Sequence, residues 1–227
     1  MNFKPTILII LFITSGIFYY QIASSKSLQT SYVQHITDGD TIKLESGEIL
    51  RLEGINTPER SKQFYKEAKQ FLNKTIQNNK ISIEKTGHDK YGRTLAYIFL
   101  NNQNINEAIL KEGLGNLYYY EKDHHYEALK KAEEFARTNQ LNLWQKSPNE
   151  NCIEIIEFKT DEPESLTLKN NCNIILEITY KDDANHIYQA TIQPNSQYIE
   201  TFSHIWNTDG DTIYIRDSNG LILFHRY

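Results

Sequence analysis

Apolar and polar residues alternate over 41–44 and again over 49–52, with Ser46-Gly47 between them, which predicts a β-hairpin. A strand containing Tyr32 and Val33 precedes it, and the patterns at 80–84 and 94–100 predict two more strands, five in all. Three stretches switch to helical spacing. In 60–80, Phe64, Ala68, Phe71, Leu72, Thr75 and Ile76 fall three or four residues apart, with Lys, Glu and Gln between them. Residues 104–112 place Ile105, Ala108 and Ile109 inward with Gly113 at the end, and 124–139 does the same with Tyr126, Leu129, Ala132 and Ala136. Leu141-Asn142-Leu143-Trp144 is expected to pack the last helix back on the barrel.

From Cys152 the texture changes. Seven short strands, near 153–158, 165–169, 174–180, 188–192, 197–202, 212–216 and 221–224, succeed one another with turn signals about every ten residues, which predicts a β-sandwich. The expected fold class is thus α+β followed by all-β: a five-stranded barrel with three helices at 26–146, a polar linker at 147–151 and a β-sandwich at 152–227.

Charge divides the chain at the same place. Residues 26–146 carry eighteen Lys and Arg against sixteen Asp and Glu, a net of +2, whereas 147–227 carry five against thirteen, a net of −8. An acidic C-terminal half repels a polyanion; the N-terminal half tolerates one.

Residues 1–25 read as a targeting segment, with Lys4 as its basic start, a mostly apolar run at 7–23 and small residues for cleavage after Ser25. An uncleaved anchor is the other reading, because about 17 apolar residues reach the lower limit for spanning a bilayer. Either way the folded part is expected to be exported, whether secreted, periplasmic or attached to the cell surface. Export makes a disulfide between Cys152 and Cys172, the two cysteines of the chain, the expectation, with two buried thiols as the alternative.

The chemistry concentrates in 38–59. Asp38-Gly39-Asp40-Thr41 is a turn feeding a strand, Arg51 lies on the returning strand, and Pro58 fixes the turn that carries Asn56, Thr57 and Glu59. Hard oxygen donors at strand ends suit Ca²⁺. Asp89-Lys90-Tyr91-Gly92-Arg93 offers a second guanidinium, and two arginines with a carboxylate-bound metal describe a site for phosphodiester hydrolysis. The aspartate turn alone is unspecific, since 209–212 repeats it without the arginine or the Thr-Pro-Glu. His124-His125 has no third ligand nearby in sequence and reads as a solvated pair at a helix start.

Four blocks, Asp38-Gly39-Asp40-Thr41, Arg51 through Ile55-Asn56-Thr57-Pro58-Glu59, Asp89-Lys90-Tyr91-Gly92-Arg93 and Leu141-Asn142-Leu143-Trp144, resemble the thermonuclease family of calcium-dependent secreted nucleases over about 32–145. The resemblance implies an OB-fold barrel and hydrolysis of DNA and RNA that leaves 3′-phosphate ends. It implies that Asp40, Asn56 and the Thr57 carbonyl hold Ca²⁺ with Asp38 close by, that Glu59 activates or orients water, and that Arg51 and Arg93 neutralise the phosphoryl oxygens. Lys90, Tyr91 and Tyr119 would meet the substrate. The sequence departs from the family at Asn56, where aspartate is usual, and at Glu121, where an aromatic is usual. Residues 165–227 are similar to the lamin-tail type of immunoglobulin-like domain, which implies binding or attachment. A monomer is expected, touching membrane only through an uncleaved N-terminal segment. The alternative from another class is a non-cleaving nucleic-acid-binding or adhesion module built on the nuclease fold.

Overall fold

In the computed structural model, which describes residues 28–119, 121–184, 186–208 and 210–227, the alternating segments close into a barrel. The targeting segment, Tyr120 and Asp209 lie outside the described residues. Strand β1 (Gln29–Ile36) pairs with β2 (Thr41–Leu44), and β2 with β3 (Ile49–Leu52), both antiparallel. A two-residue β4 (Ile55–Asn56) comes next. On the other flank β1 meets β5 (Lys80–His88), which pairs with β6 (Thr94–Leu100). The ring closes through a parallel pairing of β3 with β6, Arg51 opposite Leu95. That register sets Arg51 beside the chain that has just left Arg93.

The barrel holds because the predicted faces point inward. Ile42, Leu44, Leu50 and Leu52 are fully buried while Lys43 and Ile49 between them are exposed, and each such Leu or Ile contributes about 1.5–3 kcal/mol by leaving water. Helix α1 (Tyr65–Ile76) buries Ala68, Leu72 and Ile76, one residue per turn. It starts five residues later than the apolar spacing suggests, because Ser61 and Phe64 take positive φ. After a short β7 (Gln103–Asn104), Asn104 caps α2 (Ile105–Lys111) by accepting the Glu107 N–H at 3.2 Å. Gly113 ends it at φ 69°, where a Cβ would lie 2.3 Å from the Leu141 carbonyl oxygen. β8 (Asn116–Leu117) pairs with β4, and α3 (Tyr126–Thr138) closes the set of three helices. Of the described residues, no helix is long and apolar enough to cross a membrane.

The C-terminal half forms two antiparallel sheets. One has the order β13-β10-β9, from β9 (Ile153–Lys159), β10 (Glu164–Asn170) and β13 (Gln197–Phe202); the other has the order β12-β11-β14-β15, from β11 (Leu176–Lys181), β12 (Ile187–Ile192), β14 (Thr212–Asp217) and β15 (Gly220–Arg226). Leu166 and Leu168 of the first share a core with Ile178, Tyr180, Ile213 and Ile215 of the second, an arrangement consistent with a β-sandwich. Cys152 and Cys172 are joined by a disulfide that closes the entry to this core.

One expectation needs correcting where the halves meet. Trp144 does not pack on the barrel: it lies in a separate core with Ala136, Tyr214 and Leu221, its ring edge-on to Phe224 at 5.5 Å. Its aromatic partners, Tyr214 and Phe224, lie on the β14–β15 hairpin. Residues 147–151 bond to the C-terminal half: Ser147 N–H donates to Leu221 O at 2.9 Å, and the Ser147 and Asn149 side chains both donate to Asp217. The seam also buries an ion pair. Glu133, 1% exposed, accepts Leu117 N–H at 2.7 Å and two nitrogens of Arg226 at 2.6 and 3.2 Å.

Removing one member of a buried pair strands the other, so Arg226→Ala is expected to cost about 3–5 kcal/mol in chemical denaturation. Glu133→Gln in that background keeps an acceptor for Leu117 without the charge, and should recover part of the loss.

Candidate active site

The Asp38-Gly39-Asp40-Thr41 turn sits between α1 and the Thr57 turn. Gly39 is obligatory there: a Cβ would come within 2.7 Å of both Ala68 Cβ and Thr57 Oγ1. Asp40, 7% exposed, is held by three neighbouring residues. Its Oδ2 accepts Thr57 N–H at 2.9 Å and Thr57 O–H at 2.8 Å, while Oδ1 accepts Thr41 O–H at 3.2 Å and faces Arg51 Nε at 3.3 Å. One carboxylate therefore gathers the turn, the hairpin and the proline turn. Burial, and then the neighbouring charge of Asp40, push the Asp38 carboxyl up.

The arginines arrive from β3 and from the turn that leads into β6, the two strands of the closing pair. Arg51 reaches Asn56 Oδ1 with NH2 at 3.5 Å. Arg93 NH1 donates to Thr41 Oγ1 at 3.3 Å, and its Nε donates to Asp89 at 2.7 Å. Asp89 also accepts the N–H groups of Tyr91 and Arg93, both at 2.9 Å. Although burial raises it, hydrogen bonds from the Arg93 side chain and the backbone hold this carboxyl below its ordinary value, so it stays charged and aims Arg93. Tyr91 stands 73% exposed with Lys90 Nζ 5.3 Å and Arg93 Cζ 5.6 Å from its ring centre, a face on which a base can stack beside cations.

Glu59 leaves the same turn as Thr57, exposed, and opens on a cavity of about 240 Å³ whose other walls include Asn116, Lys181 and Arg216. Asp40, Arg51, Asn56, Thr57 and Arg93 thus form one connected group, with Asp38 and Glu59 at its margins. The donors near Asp40 are all oxygens, two carboxylates, an amide and a backbone carbonyl, which fits a hard divalent cation.

Tyr119 departs from its expected role. Its hydroxyl, the group that would meet a phosphate, is committed to Tyr97 and to Asp123 Oδ1 at 3.0 Å, and its ring packs edge-on against Tyr126 at 5.2 Å. The cavity it lines is shared with Asp182, Asp183 and Asp211, carboxylates that repel a polyanion. Sequence reasoning also passed over Thr41 and Asp89 as positioning residues, although both lie inside the motifs it singled out. It gave no hint that the turn after β11 docks here: Asn56 Nδ2 donates to Asp183 O at 3.3 Å and Ala184 O at 3.1 Å, and Asn116 Nδ2 to Asp183 O at 3.1 Å. In the repeated turn, Asp211 accepts N–H groups of Thr212, Asn207 and Asp183 and so builds its own loop.

Comparison with known proteins gives the chain a family. Residues 49–146 match the family described as Staphylococcal nuclease homologue. The thermonuclease of Staphylococcus hyicus is 35% identical over 142 residues, 57% of this chain and 84% of that protein. The chain belongs to the staphylococcal nuclease homologue family. Thermonuclease of Staphylococcus intermedius is 35% identical over 126 residues, 50% of this chain and 75% of its own length. An uncharacterized endonuclease of Haemophilus influenzae is 30% identical over 144 residues, covering 62% and 78%. As a member of the family this chain is a nuclease, a phosphodiester hydrolase, and its closed five-stranded barrel with three helices fits the OB-fold. The family match ends at 146, before the C-terminal sheets.

The docked turn carries its own titration. Burial, then the charges of Asp211 and Asp182, push the Asp183 carboxyl up to about 7. A carboxyl raised on folding binds its proton more tightly in the folded state, so this contribution is complete below the ordinary carboxylate range and is lost as pH rises through about 7. Asp183→Asn is therefore expected to stabilise the protein at about pH 8, on the order of 2 kcal/mol, with the gain vanishing near pH 4. Thermal melts across that range check it; a gain independent of pH would refute the cause.

Proposed function

We propose that the chain is an exported endonuclease that uses calcium to hydrolyse the phosphodiester backbone of DNA and RNA. The observation that supports it best is the Asp40 carboxylate, which joins Thr41, Arg51 and Thr57 in one hydrogen-bonded group that Arg93 enters through Thr41. Asp40, Asn56 and the Thr57 carbonyl would hold the ion, with Asp38 adding negative charge beside them. When bound, calcium supplies Lewis-acid stabilisation of the charge that builds on the phosphoryl oxygens.

The chain's own residues do the rest. Arg51 on β3 and Arg93 in the turn before β6 donate to the phosphoryl oxygens, and both are fixed by carboxylates, so little reorganisation is needed as charge develops. Glu59, exposed on the rigid Pro58 turn, takes a proton from the attacking water or orients it while the bond from phosphorus to the leaving oxygen breaks. Tyr91 and Lys90 hold the flanking nucleotide by stacking and charge.

Export accords with the apolar N-terminal segment and with the Cys152–Cys172 disulfide, which persists in oxidising compartments. The domains we assign are a targeting segment or anchor at 1–25, a nuclease domain at 26–146, a connector at 147–151 and a lamin-tail-like, immunoglobulin-type sandwich at 152–227 that serves binding or attachment. The protein acts as a monomer.

Incubating the full chain with plasmid DNA or single-stranded RNA, with calcium or with a chelator, tests this reading. Cleavage of both is expected with calcium alone, and Glu59→Gln should lower it at least a hundredfold, about 2.7 kcal/mol of transition-state stabilisation. Cleavage that persists in chelator or in Glu59→Gln, or binding without cleavage, would overturn it. Asn56→Asp adds a charged ligand but sets it against two carbonyls. It should lower the calcium needed for half-maximal cleavage and also lower the melting temperature; an unchanged calcium requirement would remove Asn56 from the ligand set.

A further inference from the structure

On another part of the barrel, one carboxylate is bracketed by two imidazoles. Glu84 of β5 places Oε1 3.3 Å from Nε2 of His124 and Oε2 3.1 Å from Nε2 of His125, and one ligand atom from each of the three residues lies within 4.8 Å of the others. The histidine pair that lacks a third ligand in sequence gains one forty residues upstream. We propose that Glu84, His124 and His125 bind a divalent transition-metal ion of the zinc type, at a site that shares no residue with the group around Asp40.

The donor set selects the ion. Two imidazole nitrogens and one carboxylate suit zinc, cobalt or nickel and are poor for calcium, which takes oxygen ligands. With metal–ligand bonds of about 2.0–2.2 Å, the edges of a tetrahedron are roughly 3.3–3.6 Å, close to the two nitrogen–oxygen spacings already present. The pieces are also held in place. The His125 ring packs on Tyr97, ring centres 4.0 Å apart, and its backbone N–H donates to Asp123 Oδ1 at 2.9 Å. Asp123 in turn accepts the hydroxyls of Tyr97 at 2.8 Å and Tyr119 at 3.0 Å. His124 is 68% exposed at its side chain and gives the ion access, leaving the fourth position to water. An ion there would tie strand β5 to the start of helix α3, a clamp on the barrel and not part of the hydrolytic chemistry.

The test is calorimetric titration of the chelator-stripped full chain with zinc chloride, with and without excess calcium. One ion is expected to bind with micromolar or tighter affinity, unaffected by calcium, and to raise the melting temperature. Glu84→Gln and His124→Ala should each weaken binding at least tenfold, and cobalt in place of zinc should give the visible absorption of a four-coordinate ion that His124→Ala abolishes. Because His124 is exposed, its variant keeps the fold, which circular dichroism verifies. Absence of binding below millimolar zinc, equal affinity in both variants, or displacement by calcium would each overturn the proposal.

Discussion

The carboxylate of Asp40 is the constraint on which the nuclease half depends. It is nearly buried, and a buried charge is tolerated only when its lone pairs are met. Contacts from the same turn, from β3 and from the Thr57-Pro58 turn do much of this, and a bound cation would add to them. Because those contacts come from separate loops, satisfying one charge also fixes where Arg51, Asn56 and Thr57 stand. The energetic demand of burial and the geometric demand of the phosphodiester site we propose thus have one solution, and the close approach that forces glycine at 39 keeps it in place.

The C-terminal half is not appended to this arrangement but locked onto it. Its charge of −8 would be a liability beside a polyanion, yet the contacts it makes are chosen against that sign. Arg226 crosses the seam to a buried glutamate, and Lys181 lies between Asn116 and the Ala184 carbonyl. Burial lowers Lys181 to about 8, so the seam holds a cation near the threshold of losing its proton. The aromatic core of Trp144, Tyr214 and Phe224 supplies apolar contact, with each ring offset or edge-on to its neighbour.

Local pattern made much of this legible. The strands of the barrel come from period-two alternation, the helices from apolar residues three and four apart, and the candidate site from aspartates and arginines clustered in turns. What could not be read were relationships set by closure of the chain on itself. Arg93 meets Thr41 only because β6 runs parallel to β3, and Glu84 meets the histidines only because α3 starts against β5. Trp144 looked like a barrel residue because its aromatic partners lie seventy and eighty residues later. Tyr119 was expected at the substrate from the resemblance, and nothing local in the sequence shows that its hydroxyl will meet Tyr97 and Asp123.

Asn56 shows how the two halves constrain one another at a single atom. An aspartate there would add charge for a cation but has no hydrogen to offer. The amide offers both: Oδ1 faces Arg51, and Nδ2 donates to the carbonyls of Asp183 and Ala184. With a carboxylate, those two carbonyls would face a negative oxygen in a buried seam, a loss of hydrogen bonding compounded by repulsion. Asn56, one of the two departures from the family's habit, is therefore also a residue that the C-terminal half touches. Because the same side chain also holds the C-terminal half, a cation bound as we propose would meet a neutral, weaker ligand at this position.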